Sequence, residues 1–263
     1  MCPNGKSGRC DEPNEIGDLE MTNKPSAAPV VGESIAAGNA SWTFSGDVSS
    51  TFTDHVRRSV PLYDSGHDLA CKIGDYFLQD GSVCYELGVS TGSLIRQLSS
   101  RFSDKNIKFV GIDREPEMIE QARSEIGDLA NVELVVDDIN QFEYEPADFI
   151  VSYYSVQFVP PKRRQELINR IYNSLNWGGG FLLFEKVRAA DARFQDMMVN
   201  LYTDFKIDQG YDNDEIVGKT RSLKGVMEPF STQGNLDLLK RAGFVDMMTV
   251  QKYVCFEGFL AIK

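Results

Sequence analysis

The chain has 263 residues, of which 42% are hydrophobic and 11% aromatic, enough to bury a sizeable core in one large domain or two small ones. Its formal net charge of −12 would repel the phosphates of a nucleic acid and an anionic membrane surface, so we expect direct binding to neither. The five cysteines are scattered without a C-x-x-C pair, which indicates neither a disulfide framework nor a zinc site, and we expect no bound metal.

The N-terminal part of the chain is poor in residues that build a core. Residues 1–41 contain no aromatic residue and are rich in Gly, Pro, Ser, Asn and acidic residues, so we expect a disordered tail with Cys2 and Cys10 as free thiols. The N-terminus lacks the order of a signal peptide, and no apolar run approaches the roughly 18 residues of a membrane helix. We therefore expect a cytoplasmic protein whose folded domain spans residues 42–263.

Helical and strand patterns alternate through the first two thirds of this domain. A mostly helical region beginning at Trp42 comes first, and the β-rich runs "SVCYEL", "IKFVGI", "NVELVV", "ADFIVS" and "GFLLFEK" follow. Helical patterns such as "EPEMIEQARSEI" and "PPKRRQELINRIYNSL" separate the runs, and the second of these is expected to end at the glycines of residues 178–180. This alternation predicts an α/β fold with a mainly parallel sheet covered on both faces.

The alternation breaks after Lys186. Two helical patterns, "ADARFQDMMVNLYTDFKIDQGY" and "DNDEIVGKTRSLKGVM", form an insertion over about residues 189–230, and the helix "TQGNLDLLKRAGF" follows. The closing runs "FVDMMTV" and "YVCFEGFLAIK" are joined by too short a connection for a crossover, so they should pair antiparallel. Helices before the sheet and within the insertion are well placed to cover the carboxyl ends of the strands, where open α/β sheets bind ligands.

The stretch "CYELGVSTGSL" contains a G-x-S-x-G pattern around Ser90, for which four interpretations can be weighed. A hydrolase nucleophile would need a histidine later in the chain, but the only histidines, His55 and His67, come before it. The loop also lacks the middle glycine of a G-x-G-x-x-G dinucleotide fingerprint. Two interpretations remain: a tight turn without a ligand, and a loop that holds a cofactor with a ribose but no pyrophosphate.

Polar residues at two further strand ends favour the cofactor. Asp113 follows "FVGI", and its two acceptor oxygens match the two hydroxyl donors of a ribose diol. Asp138 and Ile139 follow "ELVV", where they offer an acceptor for an exocyclic amine and an apolar contact for a flat base. Each acidic residue alone could be a helix cap, but their occurrence at successive strand ends indicates one shared site.

At these motifs the sequence resembles the class I S-adenosylmethionine-dependent methyltransferases, through "YELGVSTGS", "GIDREPEMIEQAR", "VVDDI" and "LNWGGGFLLFEK" in that order. The resemblance implies a Rossmann-like, mainly parallel seven-stranded sheet with an antiparallel last strand, and S-adenosylmethionine as cofactor. It departs from the general pattern at Ser90, where glycine is preferred.

Over 42–263 the chain is similar to one family with this fold, the carboxy-S-adenosyl-L-methionine synthases, through "RRSVPLY", "LGVSTG", "DFKIDQGYDNDEI" and "KTRSLKGVM". The resemblance implies transfer of carbon dioxide from prephenate to the methyl carbon of S-adenosylmethionine, with release of phenylpyruvate. It also implies a homodimer, and Arg221 and Tyr63 as the groups that hold the transferred carboxylate. The residues expected around the cofactor or its carboxylated form are Tyr63, Glu86, Gly88, Val89, Ser90, Asp113, Arg114, Asp138, Ile139, Tyr153 and Arg221.

Two departures from that family keep other functions open. Tyr153 stands where the family has an asparagine, and Tyr202 with Thr203 replaces a pair of histidines. A small-molecule methyltransferase is the alternative enzyme, and a binding subunit without chemistry is the alternative outside enzymes. For the synthase, we expect the product to feed a separate carboxymethyltransferase, for example one acting on the wobble uridine of tRNA.

Overall fold

The computed structural model describes residue 40, residues 42–43 and residues 48–263, with side chains from residue 52 onward in the last range. The expected disordered tail therefore lies almost entirely outside the described residues, as do Cys2 and Cys10. Trp42, the first aromatic residue of the chain, is buried, with 7% of its surface exposed.

One seven-stranded sheet organises the described chain, in the order β3-β2-β1-β4-β5-β7-β6. The strands are parallel except the last, which pairs antiparallel with both of its neighbours, as the sequence predicted. Their bounds are β1 Val83–Leu87, β2 Lys108–Asp113, β3 Val132–Val136, β4 Ala147–Tyr153, β5 Leu175–Lys186, β6 Asp246–Tyr253 and β7 Phe256–Ile262.

Eight α-helices accompany the sheet in the described ranges. Two precede it, three lie between the parallel strands, two form the insertion after β5, and one leads into β6. No helix in this part of the chain combines the length and apolar character needed to cross a bilayer. The bounds are α1 Val48–Ser59, α2 Tyr63–Gly74, α3 Ser93–Arg101, α4 Pro116–Ile126, α5 Pro161–Ser174, α6 Ala192–Asp208, α7 Asn213–Leu223 and α8 Thr232–Ala242.

The sheet is covered on both faces, which explains its continuous apolar runs. Apolar side chains of α2, α3 and α4 pack on one face, and those of α5 and α8 pack on the other. The central strand β4 is almost wholly buried, as expected for a parallel strand between two helical layers. The fold is the three-layered α/β arrangement that the βαβ alternation predicted.

The glycines of residues 178–180 do not end the helix before them, contrary to the sequence-based expectation. The helix α5 ends at Ser174, and β5 begins at Leu175 and contains all three glycines. The last residue of the chain explains this, because the Gly178 N–H donates to the Lys263 carbonyl oxygen at 2.9 Å and the Lys263 N–H donates to Gly179 at 3.0 Å. Pairing with the C-terminal strand draws the glycines into β5, where Gly178 takes a positive φ of 78° that glycine tolerates.

Capping side chains fix where the inserted helices begin. The Asp191 carboxylate accepts a hydrogen bond from the Phe194 N–H at 3.1 Å at the start of α6. At the start of α7, Asp212 and Glu215 form a reciprocal capping box. With α1, these helices cover the carboxyl ends of the strands, which confirms the expected arrangement.

Candidate active site

A cavity of about 450 Å³ lies at the carboxyl edge of the sheet. The segments that follow β1 to β5 line its floor, and residues of α1, α6 and α7 line the opposite side. Because the strand order is β3-β2-β1-β4-β5, segments after β2 and β3 lie at one end of the floor and the segment after β5 lies at the other. We call these the acidic end and the β5 end.

The loop after β1 is held in a conformation that only particular residues allow. Gly88 has a φ of 74°, and a Cβ atom there would lie 2.2 Å from the Ser155 hydroxyl oxygen. Ser90 also has a positive φ, 52°, and its N–H donates to Asp113 Oδ2 at 2.9 Å. The Ser90 hydroxyl donates to the sulfur of Met118 at 3.6 Å. The loop is therefore tied to β2 and turns its backbone into the cavity.

Neither histidine is placed to activate Ser90 as a nucleophile. His67 Nδ1 lies 3.2 Å from the amide of Gln97, and His55 Nε2 lies 2.5 Å from the amine of Lys219. Burial lowers the pKa of both rings, to about 4 for His67 and about 3 for His55, where Lys219 and Arg58 lower it further. The structure therefore supports the rejection of the hydrolase interpretation.

Asp113 and Asp138 both lie at the acidic end, with their carboxylates oriented by local hydrogen bonds. Asp113 Oδ1 accepts from the Glu115 N–H at 3.1 Å, and burial raises the pKa of this carboxyl. Asp138 Oδ1 accepts from the backbone and side chain of Asn140 at 2.9 and 2.7 Å. Partial burial acts to raise the pKa of Asp138, but these hydrogen bonds together with the positive charges of Arg163 and Arg114 outweigh it, and the net shift is downward. Ile139, beside Asp138, is partly buried at the cavity wall.

Three buried polar atoms at the cavity wall indicate that this cavity takes a polar ligand. Glu86 Oε2, Asn140 Oδ1 and the Tyr154 hydroxyl have no hydrogen-bond partner among the described residues. Burial raises the pKa of Glu86 well above its usual range. Leaving such groups unpaired is costly, so a ligand with amine and hydroxyl groups would satisfy them. S-Adenosylmethionine carries an amino acid amine, a ribose diol and an adenine amine, and these residues fit it.

Tyrosine rings form the middle of the floor. The rings of Tyr153 and Tyr63 lie 5.3 Å apart between centroids, and the Tyr153 hydroxyl donates to the Tyr63 carbonyl oxygen at 2.7 Å. Gly66 permits this contact, because a Cβ atom there would lie 2.1 Å from the Tyr153 hydroxyl oxygen. Tyr153 therefore presents its ring rather than its hydroxyl to the cavity. An aromatic face is a suitable neighbour for a sulfonium cation.

The structure brings most of the sequence-predicted site residues together, although their contacts with a ligand stay predictions. Those that line the cavity are Tyr63, Glu86, Gly88, Val89, Ser90, Asp113, Arg114, Asp138, Ile139 and Tyr153.

Arg221 is the exception. Its side chain is exposed on α7 and does not line the cavity, whereas Lys219, Thr220 and Leu223 of the same helix do. At about 100° of rotation per helical residue, Arg221 points roughly 160° away from both Lys219 and Leu223. Arg221 therefore does not line this chain's own cavity, because sequence similarity did not fix the helical phase, and its expected contact with a ligand stays a prediction.

The site residues predicted from the sequence do not include the basic side chains at the β5 end. Lys186 ends β5, Lys206 lies on α6 and Lys219 lies on α7, and all three line the cavity. Single lysines in helices are usually solvated, so nothing local distinguished them. The spacing of Lys206 four residues after Tyr202, on one face of the helix, was the available signal.

Comparison with known proteins agrees with this geometry. A family model described as a methyltransferase domain matches residues 85–179. The chain is 32% identical to the carboxy-S-adenosyl-L-methionine synthase of Staphylococcus epidermidis, over 84% of this chain and 97% of that protein. It is 34% identical to the protein of the same name from Campylobacter lari, over 84% of this chain and 94% of the relative.

Solved structures show the same fold at low sequence identity. The S-adenosylmethionine-dependent methyltransferase SibL in its apo form has a TM-score of 0.55 and 15% identity, covering 76% of this chain and 55% of that one. Phosphoethanolamine N-methyltransferase 2 of Haemonchus contortus, in complex with S-adenosyl-L-methionine, has a TM-score of 0.53 and 16% identity, covering 75% and 52%.

The sheet topology, the cavity at its carboxyl edge and the matching family model define an S-adenosylmethionine-dependent transferase with the class I methyltransferase fold. Within that class, the decisive observation is the sequence identity of 32% and 34% to the two synthases, which extends over 97% and 94% of their lengths. The chain belongs to the carboxy-S-adenosyl-L-methionine synthase family.

Proposed function

We propose that this protein converts S-adenosylmethionine and prephenate to carboxy-S-adenosylmethionine, phenylpyruvate and water. Prephenate loses its ring carboxyl group as carbon dioxide and its ring hydroxyl group as hydroxide, which leaves an aromatic ring. The methyl carbon of S-adenosylmethionine gains the carbon dioxide and loses a proton, and that proton and the hydroxide make water. Atoms and charge therefore balance without a metal or a redox partner.

The acidic end and the loop after β1 would hold S-adenosylmethionine. Asp113 is suited to the ribose hydroxyls, Asp138 and Ile139 to the adenine, and the unpaired oxygen of Glu86 to the amine of the amino acid. The bound cofactor would supply a sulfonium group that acidifies its methyl carbon. Tyr63 and Tyr153 would place their rings beside that group.

The contrast in charge along the cavity carries the proposal. Every acidic side chain of the lining, namely Glu86, Asp113, Glu115, Asp137 and Asp138, belongs to or follows β1, β2 or β3. Arg114 and Arg163 also line the acidic end, where Arg163 lies 3.7 Å from Asp138, whereas the lining of the β5 end is basic and aromatic. This arrangement suits an organic acid as second substrate, because lysine and arginine side chains bind carboxylates through charge-assisted hydrogen bonds.

The tyrosines of the cavity are suited to donate hydrogen bonds rather than to accept a substrate proton. Burial raises the pKa of Tyr63, Tyr154 and Tyr202, so these hydroxyls stay protonated at neutral pH. Because the Tyr202 hydroxyl already donates to the Ser59 carbonyl oxygen, Tyr63 and Tyr154 are the donors left for a ligand. Neutral donors stabilise a carboxylate without competing for the proton. We infer that the proton of the methyl carbon leaves with the hydroxide of the substrate rather than with a tyrosinate.

The direct test is to incubate the purified protein with S-adenosylmethionine, with and without prephenate, and to analyse the cofactor by mass spectrometry. We expect a product heavier by one carboxyl group that depends on prephenate. S-Adenosylhomocysteine formed equally without prephenate would instead indicate methyl transfer to another acceptor. Carboxy-S-adenosylmethionine retained by the purified protein would add support.

We further propose a homodimer, because the inserted helix α6 exposes an apolar stripe. Phe194, Met197 and Leu201 are 55%, 51% and 54% exposed, and their spacing places them on one side of the helix.

The net charge of −12 argues against contact with nucleic acid, so the product would pass to a separate enzyme, such as a tRNA carboxymethyltransferase. The buried free thiols Cys71, Cys84 and Cys255 suit the cytoplasm.

A further inference from the structure

Three lysines from separate elements converge on the β5 end of the cavity. Lys186 comes from the end of β5, Lys206 from α6 and Lys219 from α7, and each lines the same cavity. In sequence, Lys206 lies 20 positions after Lys186, and Lys219 lies 13 positions after Lys206. Tertiary folding rather than a local run of charge therefore brings them together.

Two of these lysines share one aromatic ring. The Lys186 amine lies 4.1 Å from the centroid of the Tyr202 ring, and the Lys206 amine lies 4.6 Å from it. The Tyr202 hydroxyl donates to the Ser59 carbonyl oxygen at 2.8 Å, which holds the ring in place. An aromatic face favours a nearby cation but does not neutralise its charge.

Lys219 has only neutral hydrogen-bond partners in the described structure. Its amine donates to the Ser59 hydroxyl at 2.7 Å and lies 2.5 Å from His55 Nε2. His55 is neutral because burial and Lys219 itself lower its pKa to about 3, so its Nε2 accepts the hydrogen bond. The Trp42 ring centroid lies 5.4 Å from the amine.

No ion pair within the described residues involves any of the three lysines. Burial lowers the pKa of Lys206 to about 8, with Lys186 adding repulsion, and burial lowers the pKa of Lys219 well below its usual range. Arg58, whose guanidinium lies over the Tyr211 ring, adds further positive charge. Buried cations without a counterion are unfavourable, and a bound anion removes the penalty.

We propose that Lys186, Lys206 and Lys219 bind the carboxylates of the second substrate and select an organic acid with two carboxylates over one with a single carboxylate. Tyr202 and Phe256 provide aromatic surface for the apolar body of such an acid. The identification of this acid as a substrate rests on the proposed function. Its binding does not depend on catalysis, so the two can be tested separately.

The test is calorimetric titration of prephenate into protein saturated with S-adenosylhomocysteine, which cannot react. We expect Lys206→Met and Lys219→Met each to raise the Kd for prephenate by about tenfold or more, because each removes a charge-assisted contact. Phenylpyruvate, with one carboxylate, should bind the wild type more weakly than prephenate. The Kd for S-adenosylmethionine, titrated separately, should change less than about twofold by the same reasoning.

Lys240→Met is the matched control, because Lys240 is exposed on α8 and does not line the cavity. Methionine preserves the length and apolar stem of lysine, so Lys206→Met should not lower the melting temperature. If it does, Lys206→Arg supplies the second variant, and it should restore prephenate binding by keeping the charge.

Three results would overturn the proposal: wild-type protein that does not bind prephenate, an unchanged Kd for prephenate in both methionine variants, or an equal loss of S-adenosylmethionine binding. The last would assign the lysines to the cofactor's own carboxylate. Tight, lysine-dependent binding of prephenate without carboxylated product would instead contradict only the proposed reaction.

Binding should also depend on pH through Lys206, whose pKa of about 8 lies within reach of experiment. Lys186 and Lys219, whose pKa values burial lowers, are the basic groups that face it, while Tyr202 and Cys255, whose pKa values burial raises, remain neutral at that pH. Lys206 is charged below pH 8 and loses its charge above it, so the Kd for prephenate should rise as the pH increases through 8. Lys206→Met should flatten that rise, and an identical profile in both proteins would contradict the assignment.

Discussion

Asp113 connects the loop after β1 to the end of β2, since it accepts hydrogen bonds from the Ser90 and Glu115 N–H groups at 2.9 and 3.1 Å. Its second role, if S-adenosylmethionine binds as proposed, is to accept hydrogen bonds from the ribose. Substitution with asparagine keeps the shape but removes the charge. We expect Asp113→Asn to weaken S-adenosylmethionine binding about 10- to 100-fold, the equivalent of about 1.5–3 kcal/mol for hydrogen bonds to a charged group.

Isothermal titration with S-adenosylmethionine measures this loss. Glu117→Gln is the matched control, since it makes the same change of charge at an exposed position in the first turn of α4. Equal affinity in Asp113→Asn and the wild type would remove Asp113 from the cofactor site.

A variant of Arg221 distinguishes the carboxylate-binding role that sequence similarity implies from the exposed position that the structure shows. Because its side chain is exposed and turned away from the cavity, we expect Arg221→Ala to leave the KM for prephenate within about twofold of the wild type, as for other surface substitutions. Steady-state kinetics beside Lys219→Met makes the comparison. Abolished activity in Arg221→Ala would show that Arg221 reaches a ligand, which from an exposed position requires the cavity of another copy of the chain.

Four of the site residues that the sequence predicted share one property. Gly88, Ser90, Asp113 and Asp138 follow strands, and parallel strands end at one edge of the sheet, so a linear pattern was enough to group them. Lys206 and Lys219 lie on helices whose position depends on packing around Tyr202 and Ser59. Only the spacing of Lys206 after Tyr202 reflects that packing in the sequence, and the place of both lysines at the cavity became visible only in the structure.

At the scale of elements, the helix α6 has two functional sides. Tyr202 and Lys206 face the cavity, while Phe194, Met197 and Leu201 are exposed. If the exposed side forms the dimer interface, a buried charge there is unfavourable. We expect Leu201→Glu to shift the protein from dimer to monomer in size-exclusion chromatography with light scattering.

Asn200→Glu on the same helix is the control, since it adds the same charge about 100° away around the helix axis. A wild type that is monomeric at micromolar concentration, or a Leu201→Glu variant that remains dimeric, would contradict the proposed interface.

The parallel strands could be predicted because buried strands between two helical layers read as apolar runs, as in "DFIVS" of β4. The end of α5 could not be predicted, because the inclusion of Gly178 and Gly179 in β5 depends on pairing with Lys263, more than eighty positions away. Local glycine content indicated a helix stop, and a distant strand decided the outcome.

At the scale of the whole molecule, the net charge is negative, whereas the charge at one end of the cavity is positive. The net charge of −12 leads us to expect no polyanionic partner, because long-range repulsion acts against one, yet three lysines line the β5 end of the cavity. Short-range contacts in a buried site are screened less than charges at the surface, so a small organic acid can still bind there. The acidic composition therefore argues against large polyanionic partners but not against small organic anions.

The central claim is that the carboxyl group comes from the second substrate and ends on the cofactor. Prephenate labelled with carbon-13 in its ring carboxyl group, incubated with the wild-type protein and S-adenosylmethionine, tests this directly by mass spectrometry. We predict that the label appears in carboxy-S-adenosylmethionine while phenylpyruvate remains unlabelled. Release of the label as bicarbonate, with the cofactor left uncarboxylated, would contradict the account.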